Sequence, residues 1–276
     1  MRYDRIAAQF RDDPSPLDLP PVRGDGAFGV WLTNNVTAHR VAGHASVTVS
    51  LKDYGAIPGD ATAEQMRTVA GLADRHSGGE VRVTHRQNLV LPTVRTDRLR
   101  EIHDALATVG LAAGNVGLTS DIIACPGLDY CALATARSIP IAQGLSTMLR
   151  EREGRDGGAT GAPTLNISGC INACGHHHAA NIGILGLNRA EVENYQITLG
   201  GRADGGARVG EIVGPGFSAD DVPGAVETIL ATWDRERRPD ESFADTYARV
   251  GRAPFKAALY DGPAGANDGG RRDVAA

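Results

Sequence analysis

The chain is poor in several residue types, and each shortage argues against a class of protein. Of its 276 residues, only four are cysteines, and Lys52 and Lys256 are the two lysines. So few cysteines are not typical of a disulfide-stapled secreted protein. No apolar run near the N terminus resembles a signal peptide or a membrane span. We therefore expect a cytoplasmic protein that does not bind to a membrane.

Excess positive charge is also missing. The formal net charge is -5, and no basic run with interleaved aromatic residues occurs, so nucleic acid is not an expected partner. The dinucleotide fingerprint G-x-G-x-x-G is absent where a strand would lead into a helix. Electrons for a redox reaction would therefore come from a partner protein.

The first half of the chain is predicted to be α+β. Residues 1–43, rich in proline and glycine, are interpreted as an irregular lead. Residues 44–115 show a β-α-β-β-α order that suggests a ferredoxin-like half-domain, and Thr62 with Gln65 indicates a capping box at the first helix. The predicted strands are 45–51, 81–84 and 89–94, and the predicted helices are 62–76 and 97–109.

The second half is predicted to be an α/β domain over residues 116–261, followed by a disordered glycine-rich tail at 262–276. A glycine-rich link at 154–161 divides it. The predicted strands are 165–168, 181–185 and 195–199, and the predicted helices are 133–148, 219–236 and 243–259. In this arrangement the cysteines lie at the ends of elements.

The four cysteines form two close pairs, Cys125/Cys131 in a C-x5-C spacing and Cys170/Cys174 in a C-x3-C spacing. This pattern indicates one four-thiolate metal site. A [4Fe-4S] cluster needs four thiolates that converge from loops. Structural zinc is the alternative, although zinc sites prefer shorter knuckles than C-x5-C. A disulfide is a weaker interpretation.

Two segments around the cysteines carry a family resemblance. The run DIIACPGLDYCALATARSIPIAQ and the run LNISGCINACGHHHAANIGILG resemble the C-terminal half of the sulfite and nitrite reductases that couple siroheme to a [4Fe-4S] cluster. Upstream, ASVTVSLKDYGAIPGDATAEQM and EVRVTHRQNLVLP resemble the ferredoxin-like half-domain of that family. The similarity covers about residues 40–260. Full-length members consist of two tandem halves, and this chain matches the second.

The resemblance implies roles for residues of the two cysteine loops. Cys174 corresponds to the thiolate shared with the siroheme iron, and Asn172 to a residue near the macrocycle. Gly175 would let the backbone pass close to a flat cofactor, although an ordinary turn glycine explains it equally well. The four implied cluster ligands are Cys125, Cys131, Cys170 and Cys174.

Siroheme carries carboxylates, so its site needs cations and hydrogen-bond donors. The candidates are Arg82, Arg86, Arg137 and a run of three consecutive histidines, of which His176 and His177 are the first two. Three consecutive histidines cannot all face one ion, so carboxylate pairing or proton donation is the better interpretation. The candidates for the substrate pocket are Lys52, Arg82, Arg86 and His176. Lys52 is also compatible with a side chain that snorkels from an exposed strand end.

The resemblance therefore predicts six-electron reduction of sulfite to sulfide, with nitrite reduction to ammonia as the alternative. A ferredoxin or a flavoprotein would donate the electrons. Because only one half is matched, the pocket would be completed by a separate N-terminal-half subunit or by a second copy of the chain. Arg86 supports the second copy, since it lies where first halves of the family usually carry an arginine. An electron-transfer module and a fragment without independent activity are the other two interpretations.

Overall fold

The computed structural model describes residues 26–156 and 161–261. The chain divides into two compact units between Val116 and Gly117, one residue beyond the boundary predicted between the ferredoxin-like region and the second domain. The predicted tail at 262–276 lies outside the described residues. The same applies to residues 1–25 of the predicted lead and to 157–160 of the glycine-rich link.

The first unit contains an antiparallel sheet covered by helices. The strand order is β1-β2-β4-β3, so β2 and β4 are central and β1 and β3 are edges. The strands are β1 (Val36–Ala38), β2 (His44–Val49), β3 (Arg82–Val83) and β4 (Leu89–Arg95), and the helices are α1 (Ala27–Asn35), α2 (Ala63–His76) and α3 (Leu99–Thr108).

The irregular lead predicted for residues 1–43 is wrong where the structure describes it. Residues 27–38 form α1 and β1, and Trp31 on α1 is fully buried. The Asn35 side chain donates hydrogen bonds to the carbonyl oxygens of Thr48, at 3.0 Å, and Ala113, at 2.9 Å. The prolines that suggested an irregular lead lie between residues 14 and 21, before α1, so the composition of the whole segment concealed a short helix at its end.

Local signals predicted the other elements of this unit well. Thr62 and Gln65 form the predicted capping box, in which the Gln65 N–H donates to Thr62 Oγ1 at 3.2 Å and the Thr62 N–H to Gln65 Oε1 at 2.8 Å. The helix predicted from Asp97 begins as a 3-10 turn over Thr96–Arg98 and becomes α-helical at Leu99.

The second unit is built on a five-stranded mixed sheet in the order β5-β6-β7-β8-β9. The first three strands are parallel to one another, and β8 and β9 continue antiparallel. The strands are β5 (Ile123–Ala124), β6 (Leu165–Ser168), β7 (Ile182–Arg189), β8 (Val192–Leu199) and β9 (Glu211–Ile212).

Two helix predictions in this unit need correction. The helix predicted at 133–148 instead begins at Ile139, because the N–H groups of Thr135 and Ala136 are bonded to the carbonyl of Gly169. The single helix predicted at 243–259 is two helices, interrupted at Gly251 with φ 71°. The helices of the unit are α4 (Ile139–Asp156), α5 (Val222–Glu236), α6 (Phe243–Val250) and α7 (Ala253–Tyr260).

Each unit has its own hydrophobic core. Trp31 and Leu91 are buried in the first, and Ile167, Trp233 and Phe243 in the second. None of the helices within the described ranges combines the length and hydrophobicity that crossing a bilayer requires. The α+β class predicted from the sequence is confirmed.

Candidate functional site

The cysteine pairs lie at the carboxyl ends of two neighbouring parallel strands. Ala124 of β5 is in register with Ile167 of β6, and the Cys125 N–H continues the ladder by donating to the Ile167 carbonyl at 3.1 Å. Cys170 follows β6 after Gly169. Since adjacent parallel strands end at the same edge of a sheet, the first cysteine of each pair is delivered to one place.

The loop that carries Cys131 is fixed to the residue before Cys170. The Cys131 N–H donates to the Gly127 carbonyl at 2.9 Å, and the N–H groups of Thr135 and Ala136 both donate to the Gly169 carbonyl at 2.9 Å. A Cβ at Gly169 would lie 2.6 Å from the Ala136 carbonyl oxygen. The two backbone segments can therefore meet this closely only because residue 169 has no side chain.

The Cys174 loop folds back on β6 through two consecutive turns. The Ala173 N–H donates to the Cys170 carbonyl at 3.1 Å, and the His176 N–H to the Ala173 carbonyl at 2.7 Å. A Cβ at Gly175 would collide with the carbonyl oxygen of Ile167. Close packing against β6 therefore gives a reason for Gly175 that the sequence did not show, and its predicted position beside a flat cofactor stays a prediction.

The environment of Cys125 suits a thiolate. Its Sγ is buried and accepts the Gly169 N–H at 3.1 Å, and Ser138 Oγ lies 3.6 Å away while donating to the Cys125 carbonyl. N–H donors lower the energy of negative charge on sulfur. Cys131 is half-buried and Cys174 exposed, so both are accessible to a bound group.

The donor set fits a cluster better than a single ion. Within residues 26–156 and 161–261, no three histidine, cysteine or acidic side chains are grouped closely enough to share one metal ion. Tetrahedral zinc would hold its ligands at about 2.3 Å and draw the sulfurs together, whereas a cube takes one thiolate at each of four separated iron corners. The two cysteine loops, joined by backbone hydrogen bonds, carry four free thiols, which is the number that a cube requires.

The histidine triplet differs in exposure along its length. His176 is exposed and adopts a left-handed conformation with φ 53°. Burial, and to a lesser extent His178, lowers the pKa of His177 to about 4. His177 is therefore neutral near pH 7 and cannot offer a positive charge to a carboxylate. Its buried Nδ1 has no hydrogen-bond partner among the described residues, which leaves a position that a bound group would satisfy.

Arg137, predicted as a cofactor contact, is engaged within the protein. Its Nε lies 3.0 Å from Glu193 Oε1, and the Tyr195 hydroxyl donates to Glu193 Oε2 at 2.6 Å and to the Arg137 carbonyl at 2.8 Å. The hydrogen bond and charge of Glu193 raise the pKa of Arg137 further. A cofactor carboxylate would have to compete with Glu193 for this guanidinium.

Asn172 is exposed in the Cys174 loop, and apolar side chains are exposed around it. Ile171 is 79% exposed, and Tyr130 and Leu133 in the Cys131 loop are 75% and 73% exposed. Exposed apolar side chains grouped on one pair of loops are typical of a binding surface. These side chains did not stand out in the sequence, although they lie beside the cysteines in the chain.

The first unit brings Lys52 and Arg86 to the same end of its sheet. Lys52 is 2% exposed, so the interpretation as a snorkelling side chain is wrong. The buried Asn88 side chain links the two segments, because its Oδ1 accepts the Leu51 N–H at 3.2 Å. Arg86 lies in the half-buried turn between β3 and β4.

Arg82 has a different setting on the edge strand β3. Its guanidinium is largely exposed, and its Nε lies 2.7 Å from Glu80 Oε1. An exposed pair of this kind contributes little to stability. Arg82 is therefore available to exchange Glu80 for another anion.

Two parts of the chain match known families. Residues 54–109 match the nitrite/sulfite reductase ferredoxin-like half domain, and residues 164–265 match the nitrite and sulphite reductase 4Fe-4S domain. The chain belongs to the nitrite/sulfite reductase family. Cys170 and Cys174 lie within the 4Fe-4S match, and Cys125 and Cys131 precede it.

Curated relatives agree with this membership. The chain is 32% identical over 192 residues to the sulfite reductase [NADPH] hemoprotein beta-component of Methylobacterium nodulans, a match that covers 70% of this chain and 31% of the relative. The corresponding protein of Xanthomonas campestris pv. campestris is 31% identical over 210 residues, with 74% and 36% covered. The chain thus spans about a third of the length of these relatives.

Solved structures show the same fold. The Mycobacterium tuberculosis NirA protein superposes with a TM-score of 0.68 at 22% identity, over 88% of this chain and 43% of NirA. Dissimilatory sulfite reductase I superposes with a TM-score of 0.63 at 16% identity, over 79% and 69%. The structures show the fold alone. The 4Fe-4S domain match and the hemoprotein relatives confirm, at family level, the predicted cofactor pair of a [4Fe-4S] cluster and siroheme.

Proposed function

We propose that the chain is a siroheme- and [4Fe-4S]-dependent reductase that converts sulfite to sulfide, and that nitrite reduction to ammonia is the alternative activity of the same centre. The observation that carries this proposal is the pair of cysteine loops, joined by the Gly169 N–H bond to Cys125 Sγ. The 4Fe-4S domain match over residues 164–265 supports it.

In this proposal Cys125, Cys131, Cys170 and Cys174 hold the cluster. When bound, the two cofactors supply the electrons and the iron that binds the anion. Reduction of hydrogen sulfite takes up six electrons and six protons and yields hydrogen sulfide ion and three waters. The protein's part is to position charge and protons around the anion.

The candidates for that charge remain predictions. Lys52, Arg82 and Arg86 belong to the first unit, and His176 to the second. His176 is exposed, whereas His177 is buried and, with its pKa lowered to about 4 by burial, offers a neutral imidazole that can donate or accept a hydrogen bond. The candidate cofactor contacts remain Asn172, Gly175, His176, His177 and Arg137. Of these, Arg137 would first have to leave Glu193.

The electron donor and the completing partner also belong to the proposal. We infer a ferredoxin or a flavoprotein as the donor, and either a separate N-terminal-half subunit or a second copy of the chain as the completing half. The edge strand β3 supports pairing with another chain, because Val83 on it is 81% exposed. An unpaired strand edge with an apolar side chain is a natural docking element.

A second candidate function is a cluster-bearing electron-transfer module. It is favoured by the exposed apolar side chains of the two cysteine loops, which a partner protein could cover. In that case the cysteine loops would hold the cluster, and the exposed apolar side chains around Tyr130 would contact a partner protein rather than a macrocycle.

Anaerobic absorption spectroscopy with iron and siroheme quantification tests these proposals on protein made alongside siroheme biosynthesis enzymes. We expect siroheme bands and about five irons per chain, from one cube and one macrocycle. Cluster absorbance without siroheme would favour the module, and neither cofactor would contradict both. Competition between sulfite and nitrite under one reductant then selects the substrate. Sedimentation tests self-pairing, which a strictly monomeric holo-protein would rule out.

A further inference from the structure

A basic pocket lies in the first unit, at the opposite end of the sheet from Arg86. Strand β4 begins at Leu89, beside the Arg86 turn, and its seven residues end at Arg95. An extended strand of this length spans roughly 20 Å. The pocket has a volume of about 590 Å³, and its lining includes His44, Arg75, His76, Arg95, Arg98 and Glu101.

The three arginines reach the pocket from three different elements. Arg75 lies in the last turn of α2, Arg95 ends β4, and Arg98 ends the 3-10 turn before α3. Convergence from separate elements distinguishes this group from a solvated face of one helix. Guanidinium groups bind the oxygens of phosphates through parallel hydrogen bonds, so their convergence indicates an anion site.

The acidic neighbours neutralise part of this charge. Arg98 pairs with Glu101, with Nη1 3.3 Å from Oε2, and His76 Nε2 lies 3.2 Å from Glu101 Oε1 without a hydrogen bond between them. Asp97 is paired with Arg95, whose Nη2 lies 2.8 Å from Oδ2. Three arginines against Glu101 and Asp97 leave a formal charge of +1 with both histidines neutral, on a chain whose net charge is -5.

Arg75 supplies a positive charge that no acidic side chain neutralises within the described residues. It is exposed, and it makes no ion pair within the part of the chain that the structure describes. Its side chain can therefore bind an anion without breaking an existing bond. The paired guanidinium of Arg98 would keep Glu101 on one side and present its remaining N–H groups to the ligand.

We propose that this pocket binds the phosphate group of a small molecule. A volume of about 590 Å³ lies within the range of small-molecule sites and exceeds what a free phosphate ion fills, so an ester of nucleotide size is expected. The pocket's lining residues belong to the first unit and the cysteine loops to the second, and the proposal does not rest on the reductase function.

Calorimetric titration of the full chain at constant ionic strength tests the proposal, with adenosine 5′-monophosphate, inorganic phosphate and adenosine as probes. We expect the monophosphate to bind, adenosine not to bind, and Arg75→Gln to weaken binding at least tenfold. Arg98→Gln should act in the same direction. The matched control is Arg67→Gln, which removes an exposed arginine from the same helix outside the pocket and should leave affinity unchanged.

The probes also separate the two sources of a phosphate group. Equal affinity for inorganic phosphate and the monophosphate, lost together in Arg75→Gln, would support the site with the free ion as its ligand. Failure of both anions to bind the unaltered chain would overturn the proposal. Equal weakening by Arg67→Gln would do the same, as would binding that survives in Arg75→Gln but is lost in Arg86→Gln.

Discussion

At the scale of single residues, the sequence predicted properties that follow from residue type. It did not predict properties that depend on which residues become neighbours in the folded structure. The spacing of Cys125, Cys131, Cys170 and Cys174 predicted a four-thiolate metal site from residue type alone, and that assignment stays a prediction. Arg137 was predicted to contact a cofactor because the sequence did not show its ion-pair partner, Glu193, which is 56 residues away. Burial of Lys52 was equally hidden, because the side chains bonded to its segment, Asn88 and Asn115, lie far along the chain.

Gly175 gives a residue-scale prediction. We expect Gly175→Ala to destabilise the chain by about 1–3 kcal/mol and to lower its iron content, because the added Cβ collides with the Ile167 carbonyl and displaces the loop that carries Cys174. Denaturant unfolding and iron quantification measure both effects.

A matched glycine controls for the substitution itself. Gly144 is exposed within α4, and a Cβ there would meet nothing within 4 Å. Gly144→Ala should raise stability by about 0.5–1 kcal/mol and leave iron content unchanged, since alanine suits a helix interior better. If Gly175→Ala kept full stability and iron, the close packing of the Cys174 loop on β6 would be wrong.

At the scale of elements, local rules succeeded where the ends of an element are determined by neighbouring residues. The capping box at α2 was predicted from Thr62 and Gln65 and is present. The start of α4 was misplaced because its upstream residues are bonded to Gly169, across a long sequence separation. The break at Gly251 did have a local signal in that glycine and in Pro254, and the apolar periodicity across both helices obscured it.

The cap of α2 gives an element-scale prediction. Thr62→Ala should destabilise the first unit by about 1 kcal/mol, because the Gln65 N–H loses its acceptor. Thr62→Ser keeps the hydroxyl and should restore most of that loss. Trp31 reports on this unit by fluorescence in a Trp233→Phe background, since these are the two tryptophans of the chain. An alanine variant as stable as the serine variant would contradict the role of the cap.

At the scale of the whole molecule, ion pairs between elements make stability depend on pH. Arg249, together with the N–H of Arg238 and the hydroxyl of Thr246, lowers the pKa of Glu241 to about 2 from an ordinary 4.5. A carboxyl group with a depressed pKa in the folded state stabilises the fold fully above the unfolded value. That contribution is lost as the pH falls through the folded value.

We therefore expect Glu241→Gln to be less stable than the unaltered chain at pH 7 and to lose less stability between pH 4.5 and 2. Trp233, which packs on Phe243 at the start of α6, reports on this region in a Trp31→Phe background. Glu227→Gln, at an exposed position on α5, should follow the pH dependence of the unaltered chain. Parallel curves for Glu241→Gln and the unaltered chain across this range would rule out the proposed linkage.

The sequence by itself determined the family, the α+β class and most strands, and it predicted four thiolate ligands, because each of these depends on residue type, spacing or short-range periodicity. Only the tertiary structure decided that residues 27–38 join the first core, that Arg137 pairs with Glu193, that Lys52 is buried and that three arginines converge beside His76. These features depend on contacts between residues far apart in the chain, and no local pattern encodes which distant residues will meet.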